Sequence, residues 1–191
     1  MSIVVEALSF AAEHHKNQFR KGTRIPYLTH LLNVCAWLAR RNYPDEVLAA
    51  ALLHDVVEDT DATADMVQER FGPHVTAIVL GVTELEKREH KALDKSATWQ
   101  QRKEQTLHFL RHEATYEQLL VGGADKLDNL QSLCTDYELE GEAVWNRFNA
   151  PRHLQQWYYT SVALLLEEKA DTDPVFGEMA AAMQQCLRRL F

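Results

Sequence analysis

One stretch of the sequence decides how the rest is interpreted: Leu52-Leu53-His54-Asp55-Val56-Val57-Glu58-Asp59-Thr60. The run before it, from Asp45 to Leu53, is rich in strong helix formers, so the pattern predicts one helix that continues through Asp59. At about 3.6 residues per turn, His54 and Glu58 then lie on one face of that helix, with Asp55 and Asp59 beside them.

An imidazole and three carboxylates among valines and leucines are costly to bury unless a cation joins them. A divalent metal is the obvious candidate. The alternative is an ordinary helix end with solvated acids, which is the commoner meaning of an isolated His-Asp pair. Residues elsewhere in the chain must therefore decide between the two interpretations.

Length and composition indicate a single globular domain. The chain has 191 residues, 46% hydrophobic and 25% charged, enough to bury a core without disulfides. Its three cysteines form no CxxC pair and lie in apolar surroundings, which favours reduced core residues of a cytoplasmic protein. We find no signal peptide and no run approaching the ~20 apolar residues that cross a bilayer, so neither secretion nor membrane association is expected.

The formal net charge of −8 argues against a nucleic-acid-binding protein, which would show a basic face. A small phosphorylated ligand stays compatible with this charge if basic residues gather locally. They do so in the loop Phe19-Arg20-Lys21-Gly22-Thr23-Arg24-Ile25-Pro26-Tyr27, where Gly22 and Pro26 interrupt the helical pattern.

Helical periodicity extends from end to end, with no alternating strand of convincing length. The predicted helices outside the 45–59 stretch are 2–18, 30–41 with Thr29 as N-cap, 64–71 ended by Gly72, 74–86 after Pro73, 99–111, one after the capping-box pair Thr115 and Gln118, 143–148, 152–169, and 174–190 with Asp173 as N-cap. Residues 87–97 are charged and lack an apolar stripe, which indicates a mobile connection. The sequence thus predicts an all-α, single-domain helical bundle over residues 1–191.

Two adjacent glycines, Gly122 and Gly123, interrupt an otherwise apolar helical run. Glycine inside a helix costs about 1 kcal/mol relative to alanine, so the pair needs a structural reason. Close packing of this helix against the 45–59 helix is the reason that we predict.

Two separated residues join the His54-Asp55 pair of the opening stretch in a recognisable order: His30 precedes the pair and Asp125 follows it. The order His…His-Asp…Asp resembles the HD phosphohydrolase superfamily. Further motifs resemble the hydrolase domain of RelA/SpoT-type proteins: Arg20-Lys21, Pro26-Tyr27-x-x-His30, Ala51 to Thr60, Phe71-Gly72, Val82-Thr83 and Ala124-Asp125-Lys126-x-x-Asn129-Leu130. The likeness covers about residues 7 to 133, and Leu31 stands where that family usually has proline.

The resemblance implies hydrolysis of the 3′-diphosphate of guanosine tetra- or pentaphosphate, (p)ppGpp, to GDP or GTP and pyrophosphate, with Mn²⁺ as the metal. It implies a small, stand-alone alarmone hydrolase of the stringent response. His30, His54, Asp55 and Asp125 are the implied metal ligands. Two imidazoles and two carboxylates make a mixed site that suits Mn²⁺ or Fe²⁺, and Zn²⁺ is also compatible.

Glu58 and Asp59 follow the ligands by one turn, where they are expected to activate or align the attacking water as a pair. For the substrate, the resemblance implies that Arg20 and Lys21 flank the guanine base. Asn129 then meets the ribose-phosphate region, Ser132 contacts the nucleotide, and Lys126 adds positive charge. We interpret the other histidines, His15 among them, as surface or packing residues.

Three alternatives stay open at this point. Another HD-type phosphohydrolase would remove a phosphate from NADPH or a nucleoside monophosphate, since one fold serves many substrates. A non-catalytic nucleotide sensor would use only the pocket, although it would not need Glu58 and Asp59. A helical scaffold would use the metal only to join helices.

Overall fold

The structure is a computed structural model, and it describes residues 2–83 and 98–191. Its helical elements are α1 (Ile3–His14), α2 (Leu28–Ala39), α3 (Asp45–Leu53), α4 (Val56–Asp59), α5 (Ala64–Val82), α6 (Trp99–His112), α7 (Tyr116–Glu140), a 3₁₀ helix (Gly141–Arg147), α8 (Arg152–Glu168) and α9 (Pro174–Leu190). Within those described residues there is no β-strand, and the sole β-type pairing is an isolated bridge between Phe19 and Pro26. The predicted all-α fold is confirmed.

The chain divides into two compact units. The first comprises Met1–Glu89 and Ala114–Gly122, and the second comprises His90–Glu113 and Gly123–Phe191. Helix α7 begins in the first unit and continues in the second. A single domain over residues 1–191 stays a prediction.

In the first unit, α3 is the central helix, packed against α1, α2 and α5. Every residue from Val47 to Leu53 is buried. A helix that is apolar all round belongs in the interior, because no face of it gains from contact with water. The chain is therefore still in the interior of the first unit at the point where the polar residues after α3 begin.

In the second unit, α8 packs against both α6 and α9. Gly123 lies where a Cβ atom would meet Met179 Sδ at 2.8 Å and Leu166 Cδ2 at 3.1 Å. The expected reason for this glycine was packing against the predicted 45–59 helix. Its close neighbours lie on α8 and α9 instead, so that explanation was wrong for Gly123.

Local capping signals predicted several helix boundaries correctly. The Thr115–Gln118 capping box is present, with Thr115 N–H donating to Gln118 Oε1 at 2.9 Å and Gln118 N–H donating to Thr115 Oγ1 at 3.3 Å. Asp173 caps α9 by accepting from Val175 N–H at 2.9 Å. Gly72 breaks α5 with φ of 82°, as expected.

Other boundaries differ from the prediction. Helix α2 begins at Leu28, before Thr29, whose hydroxyl donates to Pro26 O instead of capping the helix. The 143–148 segment is a 3₁₀ helix over Gly141–Arg147. The predicted mobile connection, residues 87–97, lies outside the described residues.

The 45–59 stretch is two helices, so the prediction of one continuous helix was wrong. Helix α3 ends at Leu53, and α4 begins at Val56. The His54 side chain supplies the reason, since its Nδ1 lies 2.8 Å from Ala51 O. A side-chain donor at that carbonyl competes with the main-chain hydrogen-bond ladder and interrupts it.

Candidate active site

His30, His54 and Asp55, which we call the His-His-Asp cluster, converge in the first unit. His30 comes from α2, and the other two come from the turn between α3 and α4. The Nε2 atoms of the histidines are 3.2 Å apart, and Asp55 Oδ2 lies 3.0 Å from His54 Nε2 and 3.6 Å from His30 Nε2. Both histidines are about 98–99% buried, and the three ligand atoms lie within 4.8 Å of one another. The structure thus brings together three of the four predicted metal ligands.

The tautomer of His54 follows from its hydrogen bond. A carbonyl only accepts, so His54 Nδ1–H donates to Ala51 O and a neutral ring leaves Nε2 unprotonated. The Nε2 lone pair then faces His30 and Asp55 inside the cluster. Fixing the second nitrogen in this way is how proteins orient histidine ligands.

The donor set fits a divalent transition metal. Two nitrogens of buried imidazoles and one oxygen of the half-buried Asp55 carboxylate face each other, an arrangement of lone pairs that a shared cation would stabilise. Imidazole with carboxylate suits Mn²⁺, Fe²⁺ or Zn²⁺ better than Ca²⁺, which prefers oxygen alone. Within the described chain, no other group of His, Cys, Asp or Glu side chains has this arrangement.

Glu58 and Asp59, the predicted catalytic pair, lie on α4 directly after the cluster. The main-chain N–H of Asp59 donates to Asp55 O at 2.9 Å, which ties the backbone of the pair to that of the cluster. Glu58 is half-buried and Asp59 is exposed. A surface cavity of about 420 Å³ is lined in part by Gln18 and Asp59, so water has access to this carboxylate.

The basic loop is a closed turn. The Phe19–Pro26 bridge closes it, and Arg20 N–H donates to Ile25 O at 2.8 Å. Gly22 has φ of 73°, a left-handed conformation that glycine adopts without strain. Arg20 is half-buried with its guanidinium carbon 5.9 Å from the Tyr27 ring centroid, and Lys21 is exposed.

The remaining predicted residues lie on the part of α7 that belongs to the second unit. Asp125 is 6% exposed and accepts from Lys126 Nζ and, at 2.5 Å, from Asn129 Nδ2. Helical spacing places Asn129 and the half-buried Ser132 on the same face as Asp125. The Lys126 ammonium and the Asn129 amide, both predicted to bind substrate, thus contact Asp125. The role of Asp125 as a metal ligand stays a prediction.

Sequence reasoning missed three residues behind the cluster. Tyr27 donates its hydroxyl proton to Asp55 Oδ2 at 2.5 Å. His15 is 2% exposed, and its ring stacks on Tyr27 with 5.2 Å between centroids. Gln18 links His15 to Asp59. The position of Tyr27 three residues before His30, and the spacing of His15 and Gln18 by one turn, were the available signals.

No helix among the described residues combines the length and apolar character needed to cross a membrane.

Comparisons with known proteins show the family of the chain. The family model described as HD domain matches residues 7–154. The zebrafish (Danio rerio) guanosine-3′,5′-bis(diphosphate) 3′-pyrophosphohydrolase MESH1 is 38% identical over 152 residues, which cover 77% of this chain and 79% of the relative. The Drosophila melanogaster MESH1 is 41% identical over 132 residues, 68% of each chain.

Among solved structures, one described as a metazoan ortholog of SpoT that hydrolyses ppGpp superposes with a TM-score of 0.74 at 29% identity. The superposition covers 99% of this chain and 96% of that one. The resemblance therefore extends over nearly the whole length of both proteins.

Proposed function

The chain belongs to the HD domain family, and we propose that it is a metal-dependent pyrophosphohydrolase that converts (p)ppGpp to GDP or GTP and pyrophosphate. The observation that carries this proposal is the His-His-Asp cluster, with both histidines buried and Asp55 half-buried, and a carboxylate pair on the next helix. The MESH1 relatives, with 38% and 41% identity, and the ppGpp-hydrolysing structural neighbour support the substrate.

His30, His54 and Asp55 would hold the metal, and Asp125 is proposed as a fourth ligand on the basis of the sequence resemblance. We propose Mn²⁺, with Fe²⁺ and Zn²⁺ as competitors, because the donors are nitrogen and oxygen without sulfur. A divalent metal bound there supplies a Lewis acid for a phosphate oxygen and lowers the pKa of water.

The residues of the chain perform the remaining steps. Ala51 O keeps His54 in the tautomer that binds, and the Tyr27 hydroxyl holds Asp55 Oδ2. Glu58 and Asp59 align the attacking water and accept its proton. The water oxygen bonds to the 3′-linked phosphorus, the bond from that phosphorus to O3′ breaks, and O3′ takes a proton from solvent to become the 3′-hydroxyl as pyrophosphate leaves. Because Asp59 is exposed beside a cavity, the proton reaches solvent from this carboxylate.

Arg20 and Lys21 bind the guanine base in this proposal. Asn129 contacts the ribose-phosphate region, Ser132 contacts the nucleotide, and Lys126 supplies positive charge. The closed basic loop supports the first assignment, since it fixes the backbone that carries both cations. The second assignment rests on the sequence resemblance, and Lys126 and Asn129 both contact Asp125. Because the proposed substrate is (p)ppGpp, we also propose that the protein is cytoplasmic and acts in the stringent response.

A turnover assay with several substrates tests the proposal. Purified protein with Mn²⁺ is offered guanosine tetraphosphate, NADPH and a panel of nucleoside monophosphates, and both pyrophosphate and inorganic phosphate are measured. Pyrophosphate from the tetraphosphate, lost in the Glu58→Ala, Asp59→Ala double variant, is the expected result.

Two other outcomes are informative. Inorganic phosphate from another nucleotide would keep the hydrolase and reject the guanosine substrate. Tight nucleotide binding with no product of either kind would favour a sensor. The assay is repeated with Fe²⁺ and Zn²⁺ at equal free concentration, and a higher rate with either would reject Mn²⁺.

A further inference from the structure

His15 is buried, at 2% exposure, and it contacts two polar side chains near the site. Its Nδ1 lies 2.6 Å from Gln18 Oε1, and its ring stacks on Tyr27 at an interplanar angle of 22°. Its Nε2 is buried with no hydrogen-bond partner. An unsatisfied buried polar atom costs free energy, so packing alone does not explain an imidazole here.

The first connection from His15 leads to the catalytic pair. Gln18 Nε2 donates to Asp59 Oδ2 at 3.4 Å, so the amide oxygen of Gln18 must accept from His15. His15 Nδ1 is therefore the protonated nitrogen. Burial lowers the pKa of His15, which keeps the ring neutral in this tautomer. The chain of contacts His15–Gln18–Asp59 restrains the exposed carboxylate.

The second connection leads to the His-His-Asp cluster. The Tyr27 ring lies between His15, at 5.2 Å, and His30, at 5.5 Å with the planes at 68°. Its hydroxyl donates to Asp55 Oδ2. The flat face of His15 thus restrains the ring that carries the hydrogen bond to Asp55.

We propose that His15 is a positioning residue that holds two carboxylates of the site, Asp55 through Tyr27 and Asp59 through Gln18. The two connections use different parts of the imidazole: the ring face supports Tyr27, and the Nδ1–H supports Gln18. An aliphatic side chain would provide neither. The proposal rests on the proposed hydrolase function for Asp59, whereas its Asp55 connection concerns metal binding alone.

Two substitutions separate the connections. His15→Phe keeps a flat ring against Tyr27 and removes the donor to Gln18. His15→Asn keeps a donor near the position of Nδ1 and removes the ring. His14→Phe is the matched control, because His14 is the adjacent histidine and pairs with the exposed Asp61. Thermal melting establishes that each variant folds.

The measurements are Mn²⁺ affinity by calorimetry without substrate, and kcat and KM for pyrophosphate release at saturating Mn²⁺. In His15→Phe, we expect kcat to fall about 10-fold or more with unchanged KM and unchanged Mn²⁺ affinity. In His15→Asn, we expect Mn²⁺ affinity to fall about 10-fold or more, since outer partners of metal ligands typically contribute factors of 10–100. His14→Phe should match the wild type in all three quantities.

The partner residues provide independent variants in case either His15 variant does not fold. Gln18→Leu should reproduce the kcat loss of His15→Phe, and combining the two should add little, because both remove the same connection. Tyr27→Phe should reproduce the weaker Mn²⁺ binding of His15→Asn.

Equal losses of kcat and metal affinity in both His15 variants would overturn the proposal and leave a general packing role. Unchanged Mn²⁺ affinity in Tyr27→Phe, or full additivity of His15→Phe and Gln18→Leu, would also overturn it. If the wild type releases no pyrophosphate, the proposed function fails. The Mn²⁺ affinities of Tyr27→Phe and His15→Asn, compared with that of the wild type, still test whether His15 holds Asp55 through Tyr27.

Discussion

The Nε2 atoms of His30 and His54 lie 3.2 Å apart although 24 positions separate the residues in the chain. Both side chains are buried, and the Asp55 carboxylate completes the group. Such an arrangement is stable when the nitrogens and the carboxylate share a cation. This relationship leads to the first prediction, on metal binding and stability.

Mn²⁺ should raise the melting temperature of the wild-type protein. A ligand at 100 times its Kd adds about 2.7 kcal/mol of stability. For a chain of this size, each kcal/mol corresponds to about 2–4 °C. Thermal melting with and without Mn²⁺ measures the shift. His54→Ala should remove most of it, and His74→Ala, a surface histidine paired with Glu117, should retain it. An equal shift in His54→Ala would contradict the assignment.

Glu58→Gln and Asp59→Asn should lower kcat by about 10²–10⁴ in the double variant, because general acid–base assistance typically contributes that much. Calorimetry should show wild-type Mn²⁺ affinity, since neither carboxylate belongs to the cluster. Glu69→Gln, an exposed acid on α5, is the control. A double variant with a normal rate would refute the catalytic assignment. A double variant that no longer binds Mn²⁺ would indicate that Glu58 and Asp59 are metal ligands instead.

Lys21→Ala should raise KM for the nucleotide and leave kcat nearly unchanged. A lost hydrogen bond or ion pair to a charged group costs about 1.5–3 kcal/mol, so KM should rise roughly 10- to 100-fold. Steady-state kinetics with guanosine tetraphosphate measures both constants. Arg40→Ala removes an exposed cation elsewhere in the same unit and should have no effect. Saturation behaviour identical to the wild type would count against the base contact.

Burial lowers the pKa of His15 below its ordinary value of 6.5, because the charged imidazolium loses solvation. The unfolded chain therefore binds more protons than the folded one as the pH falls below 6.5, and the free energy of unfolding decreases. Above that value the contribution of His15 is fully present. Urea unfolding across this pH range should show a steeper decrease for the wild type than for His15→Phe. Parallel curves would mean that His15 is as easily protonated in the folded protein as in the unfolded chain.

Leu31 follows His30, the proposed metal ligand, and is fully buried at 0% exposure. Leu31→Ala leaves a cavity and should cost about 2–5 kcal/mol in the free energy of unfolding. Leu31→Met preserves the volume and should cost less than about 1.5 kcal/mol. Denaturant unfolding measures both values. A loss below 1 kcal/mol in Leu31→Ala would show that the surrounding helices close around the site.

Sequence reasoning succeeded where the relevant interaction is local. The Asp173 cap, the Thr115–Gln118 capping box and the break at Gly72 each depend on residues within a few positions of one another, so residue types and spacing determine them. The all-α class followed from helical periodicity, and the family resemblance is confirmed by the HD domain match over residues 7–154.

Predictions from the sequence failed in two situations. In one, a side chain interrupts the backbone hydrogen bonds of a helix, and in the other, tertiary packing determines which residues are in contact. Periodicity alone extended the helix through Asp59, because it does not register the His54 hydrogen bond to Ala51 O. Similarly, a glycine inside a helix predicted close packing at Gly123, but the sequence does not identify Leu166 and Met179 as the residues that pack there.

By itself, the sequence determined the helical class, the family and the residue types that could hold a metal. The tertiary structure alone decided that Tyr27 reaches Asp55 and that Gln18 reaches Asp59. Those pairs are separated by 28 and 41 positions. Contacts at such separations arise only after helices pack, and no local spacing encodes them. His15 therefore resembles an ordinary packing residue in the sequence, and only the folded chain gives it two carboxylates to hold.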